Sequence, residues 1–413
     1  MGRAVEQLSI DLASAALDSL SLSTASAPKN LPPELWRIIF LEATWCPNDP
    51  STCLDDLYFL THFQLWSYSL KADAVYKVRL RTKWAIVHTC RTWAQIGYEL
   101  GFLYNDLLAG SIKSMPGLIS ALHQPHQGRN PDITHGCLMK HLDFSEFPAR
   151  AGSLMSDLAR TCPNLRSLKC NGPYMKDASE WTAFQRCIPE LRSLKVLSLR
   201  FPNEAPQGEF SIPMELEQLE ELSLSGLTSF RFVSQWKLPR LRVLGISKTS
   251  ADAREILQSY GSQLTSLYIE YIPNFEPNLI PELCPNLTSF GCQSYVWASK
   301  IYMHRHPSIV TLAFRNMYFD SVSESSAVRA FLESVNLQRF PSLRYVRLLA
   351  EHEDCLQSAP KDVWDCWTPI LDRWKTQGIT LQDLYTNPIT CTIEKRLEQN
   401  PWLSIVGGRH PPF

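Results

Sequence analysis

LEELSLSGLTSFRFVSQWKLPRLRVLGI, residues 219–246, contains one six-residue pattern twice. In each copy the first, fourth and sixth residues are apolar: Leu219, Leu222 and Leu224, then Leu241, Leu244 and Ile246. The fourth and sixth residues alternate with polar or small ones, which predicts a short β-strand with one buried face. The residues between the two copies leave room for one helical or irregular arm that returns the chain to an equivalent strand.

The pattern occurs nine times between Met139 and Leu348. Successive copies begin 22 to 29 residues apart, with a last interval of 34 residues. The copies begin at Met139, Leu165, Leu194, Leu219, Leu241, Leu264, Leu287, Ile309 and Leu343. This period resembles that of leucine-rich repeats. Because no repeat covers its own apolar side, such repeats stack into a solenoid.

Two arms carry helical spacing, at Leu154 and Leu158 and at Ile256, Leu257 and Tyr260. Regular leucine-rich repeats also place Asn or Cys three residues after the six-residue pattern, where the side chain satisfies buried backbone groups. Here those positions hold Phe147, Pro173, Pro202, Leu227, Thr249, Ile272, Tyr295, Met317 and Glu351. We therefore expect an irregular solenoid of variable curvature. The alternative is a generic α/β domain whose parallel strands share the pattern.

Composition favours a chain without nucleic-acid or membrane partners. Of its 413 residues, 45% are hydrophobic and 20% are charged, and the formal net charge is −1. No apolar run approaches the roughly 18 residues that span a bilayer. The 12 cysteines include no C-x-x-C pair, so we interpret them as buried thiols of a reducing compartment, which favours the cytoplasm or nucleus.

The sequence divides into four predicted parts. Residues 1–29 carry no secretory pattern and read as a flexible tail, with a weak amphipathic partner-binding helix as the alternative. Residues 30–122 form a helical region with an insertion at about 46–84, residues 133–350 form the solenoid, and residues 351–413 form a C-terminal cap and tail. In that cap Trp364, Trp367 and Trp374 share one helical side, which suits either covering the last repeat or a groove for a partner.

Two stretches of the helical region carry helical patterns. LPPELWRIIFLEAT (residues 31–44) is apolar over much of its surface, and HTCRTWAQIGYELGFLYNDL (residues 88–107) places Cys90, Trp93, Ile96 and Gly97 on one helical side. The paired prolines and Glu34 suit a helix start. A helix with so broad an apolar surface buries more than one face. One face belongs either to a partner protein or, in the alternative, to the chain's own core.

Together the two stretches resemble an F-box of the fungal type, and an F-box followed by leucine-rich repeats is a known family layout. The resemblance implies that the two helices pack together and bind the Skp adaptor of a cullin-RING ubiquitin ligase. The matching residues, and hence the implied adaptor-binding residues, are Leu31, Pro32, Leu35, Ile38, Ile39, Phe40, Cys90, Trp93 and Ile96. The interval between the two stretches is longer than in a compact F-box.

Strand positions that alternate with the apolar ones predict a target-binding face turned away from the core. They are His141, Asp143, Lys169, Asn171, Arg200, Tyr268, Glu270, Arg315, Tyr345 and Arg347. Solenoids use such extended surfaces to bind proteins. The alternative for each residue is a merely solvated sheet face.

No P-loop, GxGxxG, GxSxG, HExxH or kinase motif occurs, and the His-Glu-Asp-Cys run at residues 352–355 lacks metal-ligand spacing. We therefore expect a binding protein with no cofactor and no metal. The leading hypothesis is a non-catalytic target receptor of an SCF-type ubiquitin ligase. The alternatives are a leucine-rich-repeat scaffold that joins no ligase and an enzyme of unrecognised type.

Overall fold

The structure is a computed structural model. It describes residues 32–44, 81–83, 85–100, 106–109, 115–125, 134–144, 151–171, 178–200, 213–227, 229, 231–247, 253–270, 277–293, 305–315, 332–348 and 361–382. The predicted tail, most of the predicted insertion, and residues 351–355 lie outside the described residues. Contacts divide the chain into two compact units. The described parts of the first are residues 32–44 and 81–100 without residue 84, and the second holds the described residues from 106 onward.

The first unit is helical. Helix α1 is Pro33–Thr44 and helix α2 is Arg91–Leu100, with further helical residues at 81–83 and 85–89. Proline suits the first turn of α1 because the backbone N–H it lacks would have no partner inside the helix. The first bond of that turn runs from the Leu35 N–H to the Pro32 carbonyl at 3.0 Å. A small core of Phe40, Ile86, Val87 and Ile96 joins the helices.

The second unit contains an eleven-stranded parallel sheet whose strands are neighbours in chain order. The strands are β1 Asp106–Ala109, β2 His141–Phe144, β3 Ser167–Asn171, β4 Val196–Arg200, β5 Glu221–Ser225, β6 Val243–Ser247, β7 Ser266–Ile269, β8 Ser289–Gln293, β9 Thr311–Arg315, β10 Tyr345–Leu348 and β11 Thr380–Gln382. A sheet that never reverses its order is the arrangement of a solenoid-like α/β fold.

The strands pair so that equivalent positions of the sequence pattern face one another. Leu197 pairs with Leu222, and Leu222 pairs with Leu244, each at the fourth position of its copy. All three side chains are fully buried and belong to one core cluster that extends from Leu122 to Leu381. The predicted parallel α/β architecture is confirmed. The expectation of a single buried strand face is wrong in the central strands, because every residue of β6 and β7 is buried.

The arms between strands are unequal. The helices of this unit are α3 Met115–Leu122, α4 Ala151–Thr161, α5 Ala178–Cys187, α6 Arg231–Ser234, α7 Ala253–Tyr260, α8 Ile280–Leu283 and α9 Lys361–Thr376. Helix α4 contains the predicted Leu158, which is buried, and α7 buries the predicted Ile256, Leu257 and Tyr260. Arms that range from a single turn in α6 to more than four turns in α9 fit the expected irregularity.

Polar side chains in the turns link three of the repeats to the repeat before. The Asn164 amide donates to the Cys137 carbonyl at 2.8 Å, and the Gln263 amide donates to the Leu238 carbonyl at 2.9 Å. The Asn286 amide donates to the Ser262 carbonyl at 2.7 Å. Each donor directly precedes the first apolar residue of its copy. These bonds satisfy turn carbonyls between repeats.

The sheet extends beyond both ends of the predicted repeats. Strand β1 pairs with β2 in the register Leu107 to Leu142, and β11 pairs with β10 in the register Leu381 to Val346. Helix α9 adds Trp374 to the shared core, and the Trp374 indole N–H donates to the Val335 carbonyl at 3.1 Å. The side chains of Trp364 and Trp367 lie outside the described residues.

Five buried cysteines form no disulfide bond: Cys162, Cys170, Cys187, Cys284 and Cys292. Burial, with a smaller contribution from Cys137, raises the pKa of Cys162 to about 12. Burial likewise raises the pKa of Cys284 to about 12. The thiols of Cys162 and Cys284 therefore stay protonated at neutral pH and pack as small apolar groups. Of the helices described, none combines the length and hydropathy needed to cross a membrane.

Candidate functional site

Helix α1 has an inner face that packs on α2. Phe40 is 1% exposed. Its ring lies 5.7 Å from that of Trp36 and 5.0 Å from that of Trp93 on α2, and the two tryptophan rings lie 4.6 Å apart. Aromatic rings at these separations add to the free energy of apolar burial. This cluster fixes α1 against α2 and sets which side of α1 faces outward.

The outer side of α1 carries large apolar residues that stay in contact with solvent. Leu35, Ile38 and Ile39 are 44%, 56% and 42% exposed. Their spacing places them next to one another along the helix. Together these three residues are termed the α1 stripe. Exposed apolar residues that are contiguous rather than scattered mark a surface for a partner.

The implied adaptor-binding residues thus divide between packing and surface. Phe40 and Ile96 are buried and Trp93 is half-buried, so these three hold the helices together. Pro32 at the start of α1 and Cys90 just before α2 are exposed, as is the α1 stripe. Leu31 lies outside the described residues.

The predicted target-binding residues also divide. Arg200 and Tyr345 are exposed and Lys169 is half-buried. His141, Tyr268, Glu270 and Arg347 are buried. Asp143, Asn171 and Arg315 lie in β2, β3 and β9, and their side chains are outside the described residues.

The expectation that this whole row faces solvent is therefore corrected at the four buried positions. Arg347 is 2% exposed because β11 lies beside it, and its guanidinium donates to the Gln382 side-chain carbonyl on that strand at 2.8 Å. Tyr268 is fully buried, and its neighbours in register are Gly245 and Gly291. Alternation assigns a residue to one side of a strand, but burial depends on what else packs there.

A row of charged side chains at the starts of the strands was not among the predicted sites. Each member follows the first apolar residue of its copy, on the rungs of β2 to β6: Lys140, Arg166, Lys195, Glu220 and Arg242. The Glu220 carboxylate forms two ion pairs. Its Oε1 lies 2.7 Å from the Lys195 Nζ, and its Oε2 lies 3.3 Å from the Arg242 Nη2. These five residues are termed the basic row. They were recognisable in the sequence, because all of them occupy the second position of the six-residue pattern.

Among the described residues, no group of three or more His, Cys, Asp or Glu side chains is placed to hold a metal ion. His306 is fully buried, and its Nε2 lies 3.0 Å from the Cys284 carbonyl. That nitrogen must donate, since a carbonyl oxygen accepts, so a neutral His306 ring carries its proton on Nε2. Binding surfaces are the features that stand out.

No family model and no curated protein matches the chain. Among solved structures, it is similar to "Crystal structure of Rad7 and Elc1 complex in yeast", with 11% sequence identity and a TM-score of 0.35. The alignment covers 92% of this chain and 96% of that chain. At that identity and score, the likeness assigns neither a family nor a function.

Proposed function

We propose that the chain is a target receptor of an SCF-type ubiquitin ligase, acting in the cytoplasm or nucleus. The α1 stripe binds the Skp adaptor, which connects the chain to the cullin, and the leucine-rich-repeat sheet binds a target protein. The ubiquitin transfer itself belongs to other subunits. Holding a target beside the charged conjugating enzyme raises the effective concentration of its lysines.

The observation that carries the proposal is the division of α1 into two apolar faces. The inner face is used within the chain, through Phe40 and the Trp36–Trp93 contact. The outer face presents Leu35, Ile38 and Ile39 to solvent. A helix whose own chain covers one apolar face and leaves the other exposed fits a helix that completes its burial on a partner. The sequence resemblance names the adaptor as that partner.

The size of the stripe fits a specific contact. Complete burial of one large apolar side chain contributes about 1.5–3 kcal/mol. Roughly half of each stripe residue is still exposed, so their remaining burial would contribute roughly 2–4 kcal/mol in total. A micromolar affinity corresponds to a binding free energy of about 8 kcal/mol, so the stripe would supply a quarter to a half of it, about 2–4 kcal/mol.

The test is isothermal titration of the purified full chain with the purified Skp adaptor. The intact chain is expected to bind at micromolar concentration or tighter, and Ile38→Asp is expected to abolish binding, because it places a carboxylate in an apolar contact. Tyr345→Asp is the matched control, since it introduces the same charge at a side chain 39% exposed on β10. The control should bind the adaptor as the intact chain does.

Two results would reject the proposal: no heat of binding from the intact, folded chain, or equal binding by the Ile38→Asp variant. Circular dichroism of each variant establishes that loss of binding is not loss of folding. Failure of adaptor binding would favour the second hypothesis, a repeat scaffold that joins no ligase.

A further inference from the structure

We propose that the basic row binds an acidic, extended segment of the target protein. This inference deepens the proposed function and rests on it, because the chain has a target protein only if it acts as a receptor. The recognised chemistry is a run of anionic side chains, supplied by glutamate and aspartate or by phosphorylated residues. The contact is made by side chains at the starts of consecutive strands, and the segment crosses the strands rather than adding to the sheet.

The basic row has a net positive charge, and part of that charge is not neutralised within the described residues. Four of its five members are cationic and one is anionic, so the row carries a formal charge of +3 within a chain of net charge −1. Arg166 is exposed and Lys140 is half-buried. No carboxylate of the described residues lies within ion-pair distance of either side chain. These two cations therefore offer the unneutralised end of the row.

At the other end of the row, Glu220 holds two cations in place. Its carboxylate forms ion pairs with Lys195, beside the preceding strand, and with Arg242, beside the following strand. Its side chain is 15% exposed, whereas those of Lys195 and Arg242 are 32% and 35% exposed. The carboxylate is thus more deeply buried than the two cations it holds. Part of each cation's side chain remains exposed and can contact a further anion. Side chains held in place lose less conformational entropy on binding.

The row has a defined length. On the next two rungs the same column holds Thr265 and Thr288, whose hydroxyls donate to the carbonyls of Arg242 and Thr265 at 3.2 Å and 3.0 Å. The consecutive run of charged members therefore ends at β6. Five rungs at a strand separation of about 4.8 Å span about 19 Å, which an extended peptide covers with about six residues. A short linear segment fits this surface.

A protein segment fits better than a nucleic acid. The Glu220 carboxylate interrupts the row, which disfavours a polymer that carries a phosphate on every unit. A peptide can place an uncharged residue at that rung and anionic residues beside Lys140, Arg166 and Arg242. Clustered cations of this kind pair with carboxylates and phosphates.

The test is fluorescence anisotropy of the full chain with a fluorescein-labelled oligoglutamate peptide of about six residues. Binding is expected to weaken as the salt concentration rises from about 50 to about 300 mM, because exposed charges are screened over that range. Arg166→Glu and Lys140→Glu should each weaken binding about tenfold or more. Glu220→Gln should tighten it several-fold by removing the internal anion. Arg186→Glu is the control, as an equal charge change at an exposed residue on α5.

Parallel titrations use a phosphoserine peptide, a polyglutamine peptide and a single-stranded oligonucleotide of equal charge. Tighter binding of the phosphoserine or the glutamate peptide identifies the source of the anion, and either supports the proposal. No binding, binding of the polyglutamine peptide, tighter binding of the oligonucleotide, or equal weakening by Arg186→Glu overturns it.

The same Arg166→Glu protein is titrated with the Skp adaptor. If the intact chain binds the adaptor but not the peptide, the acidic-segment assignment is rejected and the receptor proposal stands. Peptide binding by a chain that does not bind the adaptor rejects the receptor proposal and leaves the basic row as an interaction surface.

Discussion

Replacing Phe40 and replacing Ile38 should act in different ways, because the two side chains lie on opposite faces of α1. Phe40 is 1% exposed and packs on Trp36 and Trp93, whereas Ile38 is 56% exposed. Truncating a buried phenylalanine to alanine costs about 3–5 kcal/mol. Phe40→Ala should therefore loosen the contact between α1 and α2, with adaptor binding reduced as a secondary effect.

Ile38→Ala should leave the helices packed and weaken the adaptor contact directly. About half of the side chain is available for burial by a partner, so its removal should cost about 0.8–1.7 kcal/mol of binding free energy. At about 1.4 kcal/mol per tenfold change, this is a loss of roughly four- to fifteenfold in affinity.

The two effects are separated by hydrogen exchange with mass spectrometry, alongside adaptor titration. In Phe40→Ala, peptides from α2 should exchange about a hundredfold faster or more, since local opening would cost at least about 3 kcal/mol less. In Ile38→Ala they should exchange as in the intact chain while the adaptor affinity falls. Unchanged exchange in Phe40→Ala, or equal acceleration in both variants, would refute the two-face reasoning.

Three further predictions concern the repeat unit. Gln263→Ala removes a bond between adjacent turns and should lower the free energy of unfolding in urea by about 1 kcal/mol; no change would show that the bond contributes nothing. Burial lowers the pKa of His306 below its ordinary 6.5, partly offset by its bond to the Cys284 carbonyl. Because the unfolded chain takes up the proton first, the stability that His306 contributes should be complete above about pH 6.5 and decline below it. His306→Gln should flatten that part of the pH–stability curve, and an unchanged slope would contradict the assignment. Gly261→Ala should destabilise by roughly 1–3 kcal/mol, since a Cβ there meets the Leu283 carbonyl, while Gly117→Ala, which meets nothing, should be neutral or stabilising in the same thermal melts.

The strands were predictable from the sequence because their signal repeats. Any one copy of the pattern is common, but nine copies at similar spacing require equivalent strands, and Leu197, Leu222 and Leu244 indeed lie in register. Strand β11 was missed because the first and sixth positions of its copy hold Gly378 and Asp383, so the apolar pattern fails there. Backbone pairing with β10 and the adjoining helix α9 supply that strand's stability instead.

The sites were less predictable, since a site depends on what surrounds a residue. The sequence marked α1 as apolar on more than one face, but the contact with Trp93 was needed to show which face stays exposed. On the sheet, alternation selected Tyr268 and Arg347, which the structure buries. The basic row was visible as a column of the repeat, yet its ion pairs through Glu220 required the pairing of neighbouring strands.

The most direct test of the receptor account is capture of the cullin with and without the adaptor. The purified chain is immobilised, and the purified cullin is added alone or together with the Skp adaptor. The account predicts that the cullin is retained when the adaptor is present and that retention disappears in the Ile38→Asp variant. Retention without the adaptor, or no retention by an intact chain that has bound the adaptor, would contradict the account.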